Sequence, residues 1–179
     1  MNPRLAKWRQ ISTKKCCENE WIKIREDVIG LPDGTQLNSF IVVEYCGAVG
    51  VLAIEQDKIL LVKQYRYPIN KFTLEIPAGA IMGKDRTSII KSAREELLEE
   101  AGYNAKSIKY FYRYHPSPGS SNEVIHLVIA KGLNKSSNPL DKDKSFDAGW
   151  YKIKDVVKWI ASGKITHSPT IIGVLLTEF

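Results

Sequence analysis

Residues 85–102 read DRTSIIKSAREELLEEAG, and this stretch has the pattern of an amphipathic helix that ends in a dense group of acids. Its apolar residues recur at the spacing of one helix face: Ile90, Ala93, Leu97 and Ala101. Asp85 or Thr87 can cap the start, and Gly102 can end the helix in the left-handed conformation. The pattern therefore predicts a helix from about Thr87 to Ala101.

The acids of this helix fall on one side of it. Glu96 lies three residues before Glu99 and four before Glu100, so the three carboxylates share a helix face and repel one another. A divalent cation would remove this repulsion, and carboxylate oxygens suit hard ions such as Mg²⁺ or Mn²⁺. From the helix alone, an acidic surface exposed to water explains the pattern as well as a metal site does.

The sequence on both sides of the helix is rich in strands. Alternating or β-branched runs predict strands before it at 21–28, 39–44, 48–54, 59–64 and 72–76, and after it at 107–114 and 123–131. Two further helices are predicted at 154–162 and 170–177. Strands mixed with helices in this irregular order predict an α/β fold. We expect a small N-terminal β segment at 1–44, followed by a main domain at 45–179.

Composition restricts the class of protein. The chain has 179 residues, a net charge of +6 and only three cysteines, too few for a disulfide framework. No apolar run is long enough to cross a membrane, and no signal-peptide core follows the basic start. We therefore expect a cytoplasmic protein. The excess positive charge lacks the aromatic-basic pattern of a nucleic-acid-binding surface, so we do not expect a nucleic-acid partner.

The segment Glu96-Leu97-Leu98-Glu99-Glu100-Ala101-Gly102 resembles the signature of the Nudix hydrolases, and Pro77-Ala78-Gly79 resembles the turn that precedes it in that family. The resemblance implies an α/β/α sandwich with a mixed sheet. The sequence departs from the signature at Glu95, which occupies the position of an arginine, while Arg94 stands one residue early. If the helix were locally shifted, Arg94-Glu95 would instead be the family pair.

Several further segments resemble the ADP-ribose pyrophosphatase branch of this family: Leu31 to Thr35, Leu60 to Pro68, Leu74 to Gly79, and Pro116 to Gly119. This resemblance covers roughly residues 21 to 170. It implies metal-dependent hydrolysis of ADP-ribose to AMP and ribose 5-phosphate by a homodimer, in which the N-terminal segment packs against the other subunit.

The resemblance also implies roles for single residues. The ligands of Mg²⁺ or Mn²⁺ would be the Ala78 carbonyl, Glu96, Glu99 and Glu100, with Glu99 also taking part in catalysis. The water-activating base would be Asp143, with Asp147 as the second candidate. Three roles follow from the residues themselves. Arg66 would bind phosphate, because its planar guanidinium can pair with two oxygens. Glu75, in the strand before the Pro77 turn, would bind substrate or a second metal, and Trp21 would stack on the nucleobase or lie in a core or dimer contact.

Two other functions remain open from the sequence. One is a Nudix enzyme for another substrate, such as a GDP-sugar, a dinucleotide polyphosphate or a capped RNA 5′ end. The other is a Nudix-fold binding module with weakened catalysis, which Glu95 at the arginine position favours. Turnover of ADP-ribose with magnesium separates the binding module from the enzymes.

Overall fold

A computed structural model describes residues 6–81, 83, 85–136 and 147–178. By their internal contacts, the residues divide into two compact units. The first comprises the chain up to Cys46 together with His115–Glu123, and the second comprises Gly47–Tyr114 and the chain from Val124 onward. The Pro116-Ser117-Pro118-Gly119 segment therefore belongs to the first unit, although it lies between two strands of the second.

The first unit is built on a three-stranded antiparallel sheet in the order β1-β2-β3. The strands are β1 (Arg9–Glu18), β2 (Ile22–Gly30) and β3 (Gln36–Tyr45). The segment 115–123 joins this sheet through Val43, whose N–H donates to the Ser120 carbonyl and whose carbonyl accepts from Asn122 N–H. The strand β1 was not predicted, because all ten of its residues are exposed and none gives an apolar alternation.

The second unit contains a mixed seven-stranded sheet. Its strands are β4 (Ala48–Glu55), β5 (Lys58–Arg66), β6 (Lys71–Glu75), β7 (Ala78–Ala80), β8 (Tyr103–Tyr114), β9 (Ile125–Lys135) and β10 (Asp147–Lys152). The main order is β10-β5-β4-β9-β8, with β6 beside β5 and β7 beside β4. Only the β4–β9 pair is parallel among these pairs.

Three helices cover the two faces of this sheet: α1 (Arg86–Ala101), α2 (Ile153–Ala161) and α3 (Ser168–Thr177). On β4, Val49 and Val51 point into the core with α1, whereas Leu52 joins the core with α2 and α3. Neighbouring strand residues face opposite sides of a sheet, so a strand covered on both faces is apolar throughout. The predicted α/β/α sandwich with a mixed sheet is confirmed.

The predicted helix at 87–101 is present as α1 and begins one residue earlier. Asp85 caps it by accepting hydrogen bonds from the N–H groups of Thr87 and Ser88, and Gly102 ends it with φ of 72°. Its buried stripe begins at Ile89 rather than at Ile90, which packs at the edge of the core. No helix in the described part of the chain is long and apolar enough to cross a membrane.

Candidate active site

Two glutamates of α1 lie against the chain turn that leads into β7. Glu100 is 5% exposed, and its Oε2 accepts a hydrogen bond of 2.9 Å from the N–H of Ala78. Glu96 is half-buried, and its carboxylate lies so close to Gly79 that a Cβ atom at that position would overlap it. The glycine therefore lets a helix carboxylate approach the strand backbone, a close contact that no other residue type permits without movement.

This arrangement places two acidic groups in a poorly solvated corner. Burial raises the pKa of Glu100 from its ordinary value of 4.5 to about 7, and the nearby charge of Glu96 acts in the same direction. The hydrogen bond from Ala78 and the positive charge of Arg66 oppose the rise without cancelling it. Buried carboxylates are charged at neutral pH only when a cation compensates them.

The donor atoms at this corner fit a hard divalent cation. Glu100 accepts from the N–H of Ala78 and Glu96 lies against Gly79, so two carboxylates adjoin this short stretch of backbone. Within the described ranges, no three His, Cys, Asp or Glu side chains gather closely enough to hold a metal by themselves. Magnesium commonly uses one or two carboxylates and completes its shell with water, so this donor set suits it.

Arg94 and Glu95, the residues just before Glu96 on α1, make contacts outside this corner. Glu95 is exposed, and its carboxylate lies 3.8 Å from Nζ of Lys91, one turn back on the same helix. Arg94 donates a hydrogen bond of 2.9 Å from Nη1 to the carbonyl of Ala105 on β8. Glu99 is also exposed. The residues that approach Ala78 and Gly79 are thus Glu96 and Glu100, which is the register that aligns Glu95 with the arginine of the Nudix signature.

A second buried carboxylate, Glu75, lies at the end of β6 and is 1% exposed. Its Oε1 accepts from Nε of Arg66 at 2.8 Å and from the hydroxyl of Thr73, and its Oε2 accepts from Nη2 of Arg66. Nε2 of His167 also lies 3.1 Å from Oε2. Burial alone would raise the pKa of Glu75, but the hydrogen bond from Arg66 brings it below its ordinary value.

Sequence reasoning found Arg66 and Glu75 but missed His167 and Thr73. Arg66 and Glu75 belong to two paired strands, β5 and β6, but the register places Glu75 opposite Val62 and Arg66 opposite Lys71. Their two long side chains bridge the remaining distance along the strands. His167 precedes α3 and is far from Glu75 in the sequence, and no spacing rule joins the two. Burial lowers the pKa of His167 to about 4, so its imidazole is neutral near pH 7.

Three further candidate residues come from the sequence: Trp21, Asp143 and Asp147. Trp21 belongs to the first unit, just before β2, and is 53% exposed, so its proposed stacking on a nucleobase stays a prediction. Asp143, the candidate base, lies outside the described residues. Asp147, the second candidate, is the exposed first residue of β10.

The chain is similar to known proteins in both sequence and fold. The model of the NUDIX domain matches residues 44–171. The chain is 34% identical to the methanol dehydrogenase activator of Bacillus methanolicus over 96% of this chain and 92% of that protein. It is 28% identical to the ADP-ribose pyrophosphatase of Bacillus subtilis over 93% and 90%, respectively. A crystal structure of an ADP compounds hydrolase, 16% identical, has the same fold with a TM-score of 0.83 over 97% of this chain and 94% of that one.

Proposed function

The chain belongs to the NUDIX domain family, and from this premise we propose that it hydrolyses the pyrophosphate bond of a nucleoside diphosphate sugar. ADP-ribose is the proposed substrate, with AMP and ribose 5-phosphate as products. The observation that carries the proposal is the approach of Glu96 and Glu100 to the Ala78–Gly79 backbone, with the positive charge of Arg66 nearby. The similarity to the ADP-ribose pyrophosphatase of Bacillus subtilis supports this choice of substrate.

The proposed metal ligands are the carbonyl of Ala78 and the carboxylates of Glu96, Glu99 and Glu100. The ion is Mg²⁺ or Mn²⁺, which would neutralise charge on the pyrophosphate and lower the pKa of the attacking water. Glu96 and Glu100 are the ligands best supported by the geometry. Glu99, which directly precedes Glu100 on the helix, is the remaining proposed ligand and also takes part in catalysis. Asp143 is the proposed base.

Arg66 is the proposed phosphate-binding residue. Its side chain is 38% exposed although it is bound to Glu75, which favours a role in binding a ligand. The planar guanidinium suits two phosphate oxygens at once. The positive charge of Arg66 also lowers the pKa of Glu100, which indicates that the two groups lie in one electrostatic environment. Phosphate bound at Arg66 would therefore be close to the metal ligands.

We propose a homodimer that forms through the three-stranded sheet of the first unit. Among the described residues of this unit, six large apolar side chains are more than a third exposed: Trp8, Ile11, Trp21, Leu37, Ile41 and Tyr45. A small sheet with this much exposed apolar surface is stabilised when a second copy covers it. Light scattering at micromolar concentration tests the proposal, and a fully active monomer would contradict it. We also assign the protein to the cytoplasm, in keeping with three cysteines that form no disulfide within the described residues.

Activation of a partner dehydrogenase is the second candidate function. The observation that favours it is the similarity to the methanol dehydrogenase activator, which extends over nearly the whole of both chains. It is compatible with hydrolysis at the same site. A purified dehydrogenase whose rate rises with this protein present would support it, and the Glu96→Gln variant would show whether hydrolysis is needed.

A substrate panel with Mg²⁺ tests the main proposal. ADP-ribose, GDP-mannose, a dinucleotide polyphosphate and a capped RNA should be compared at equal concentration, with chelator in a parallel series. We expect ADP-ribose to be cleaved fastest, with AMP as the detected product. Equal turnover in excess chelator, or a clear preference for another compound, would refute the metal or the substrate assignment, respectively.

A further inference from the structure

We propose that His167 is a positioning residue for the phosphate-binding Arg66, and that it acts through the buried carboxylate of Glu75. The inference rests on the proposed function, because it concerns how Arg66 meets the substrate. His167 precedes α3, and its polar contacts within the described residues include Glu75 and Thr170. Its effect on the reaction would therefore be indirect.

Glu75 is fully occupied by the protein itself. A carboxylate has about four acceptor positions. Oε1 accepts from Nε of Arg66 and from the Thr73 hydroxyl, while Oε2 accepts from Nη2 of Arg66 and faces Nε2 of His167 at 3.1 Å. No position remains for a metal or a substrate. Glu75 is thus an anchor for Arg66, and the earlier prediction that it binds substrate or a second metal is replaced in this proposal.

The proton positions in this network follow from Thr170, which is completely buried. Its hydroxyl oxygen accepts from the N–H of Ile76 at 2.9 Å and lies 2.9 Å from Nδ1 of His167. The hydroxyl proton is not used by Ile76, so it can be donated to Nδ1. The neutral imidazole then carries its proton on Nε2, directed at Glu75. The chain of donors runs from Ile76 through Thr170 and His167 to Glu75.

This chain of hydrogen bonds determines the orientation of the Arg66 guanidinium. Glu75 takes Nε and one hydrogen of Nη2, which leaves Nη1 and the second hydrogen of Nη2 for a ligand. If His167 were absent, Oε2 of Glu75 would lose one of its two partners and the carboxylate could rotate. The guanidinium bound to it would rotate as well. A buried hydrogen-bond network that is only partly satisfied loses its fixed geometry.

The main test is a double-mutant cycle between His167→Leu and Arg66→Ala, with KM and kcat for ADP-ribose measured in Mg²⁺. We expect His167→Leu to lower kcat/KM by about tenfold, chiefly through KM, and to have little further effect when Arg66 is already alanine. His167→Gln keeps an N–H donor in place of Nε2 and should retain most activity. The control is His126→Gln, which alters another buried histidine, bonded to Tyr110, and should leave kinetics unchanged.

Two variants of Thr170 test the same network independently, in case His167→Leu does not fold. Thr170→Val removes the hydroxyl that orients the imidazole at nearly constant shape, whereas Thr170→Ser keeps it. Thr170→Val should raise KM and Thr170→Ser should not. Any of three results would overturn the proposal. The losses of His167→Leu and Arg66→Ala could be additive in the cycle, His167→Leu and Thr170→Val could both have wild-type kinetics, or Thr170→Ser and Thr170→Val could lose activity equally.

A measurement without turnover separates this proposal from the proposed function. ¹H–¹⁵N spectra of the histidine rings at pH 7 should show His167 neutral with its proton on Nε2. Calorimetry with AMP in chelator should show weaker binding to His167→Leu than to wild type. If wild type does not hydrolyse ADP-ribose, the proposed function fails while these two readings still decide the role of His167. A proton on Nδ1, or unchanged AMP binding, would refute the positioning role.

Discussion

Replacing Glu100 by glutamine should stabilise the metal-free protein, although it removes a proposed metal ligand. The carboxylate is buried, and its pKa in the folded protein is about 7 against 4.5 for an ordinary glutamate. The unfolded chain therefore loses this proton first, and the folded state becomes less stable as pH rises from about 4.5 to about 7. Glutamine keeps the shape and can still accept the hydrogen bond from Ala78, but it carries no charge.

The pKa difference sets the size of the effect. The raised pKa of Glu100 destabilises the folded protein by about 3 kcal/mol at pH 8, where the group is ionised in both states, and by less than about 1 kcal/mol at pH 5, where the folded state keeps the proton. The gain in the free energy of unfolding of Glu100→Gln should therefore grow by roughly 2 kcal/mol between these two pH values. Above pH 8 it should stay constant, because the wild-type group is then ionised in both states.

Urea unfolding in excess chelator, followed by circular dichroism from pH 5 to pH 8.5, measures this difference. Glu95→Gln is the matched control, since it makes the same chemical change at an exposed glutamate of the same helix. Added Mg²⁺ should stabilise wild type and leave Glu100→Gln unaffected, because binding to the folded state alone raises its stability. A variant less stable than wild type at pH 8, or a gain independent of pH, would refute the reasoning.

The other predictions concern the helix and its contact with the strand. Glu96→Gln should lower kcat/KM for ADP-ribose by about a hundredfold or more, roughly 3 kcal/mol of barrier, with unchanged circular dichroism. Glu95→Gln and Glu95→Arg should leave kcat/KM within about threefold of wild type, since surface charges have small effects. A hundredfold loss in Glu95→Gln with little loss in Glu96→Gln would show that the assigned register is wrong by one residue. Arg94→Ala should lower the melting temperature, because the hydrogen bond to Ala105 is lost, and should leave kcat nearly unchanged. A severe loss of kcat with an unchanged melting temperature would contradict this. Gly79→Ala should weaken Mg²⁺ binding in calorimetry, because the new methyl group displaces the Glu96 carboxylate; unchanged affinity would place the metal elsewhere.

Much of the fold follows from local sequence signals. The helix α1 was predicted within one residue because Asp85, the apolar stripe and Gly102 each specify part of it through local chemistry. The strand β1 could not be predicted, since it is held by backbone pairing to β2 and buries no side chain. Pattern reasoning detects apolar periodicity, and a strand that is exposed on both faces has none.

In the site, too, the residues close together in the sequence were predicted, whereas the contacts between residues distant in the sequence were not. Glu96 and Glu100 share a helix face by their spacing, and their approach to Ala78 was inferred from the resemblance to a family. The burial of Glu75 was not predictable, because a strand glutamate is usually exposed. The contact between Glu75 and His167 joins residues far apart in the chain, so only the folded structure reveals it.

The position of residues 115–123 limits how this protein can be divided for experiments. The segment follows β8 and precedes β9, yet its backbone is bonded to Val43 of β3. A truncation that removes the first 46 residues would leave the N–H of Asn122 and the carbonyl of Ser120 without their partners. A recombinant catalytic fragment should therefore also replace 115–123 by a short turn. A chimera that exchanges the N-terminal part between relatives would need the first 46 residues and the segment 115–123 from the same parent protein.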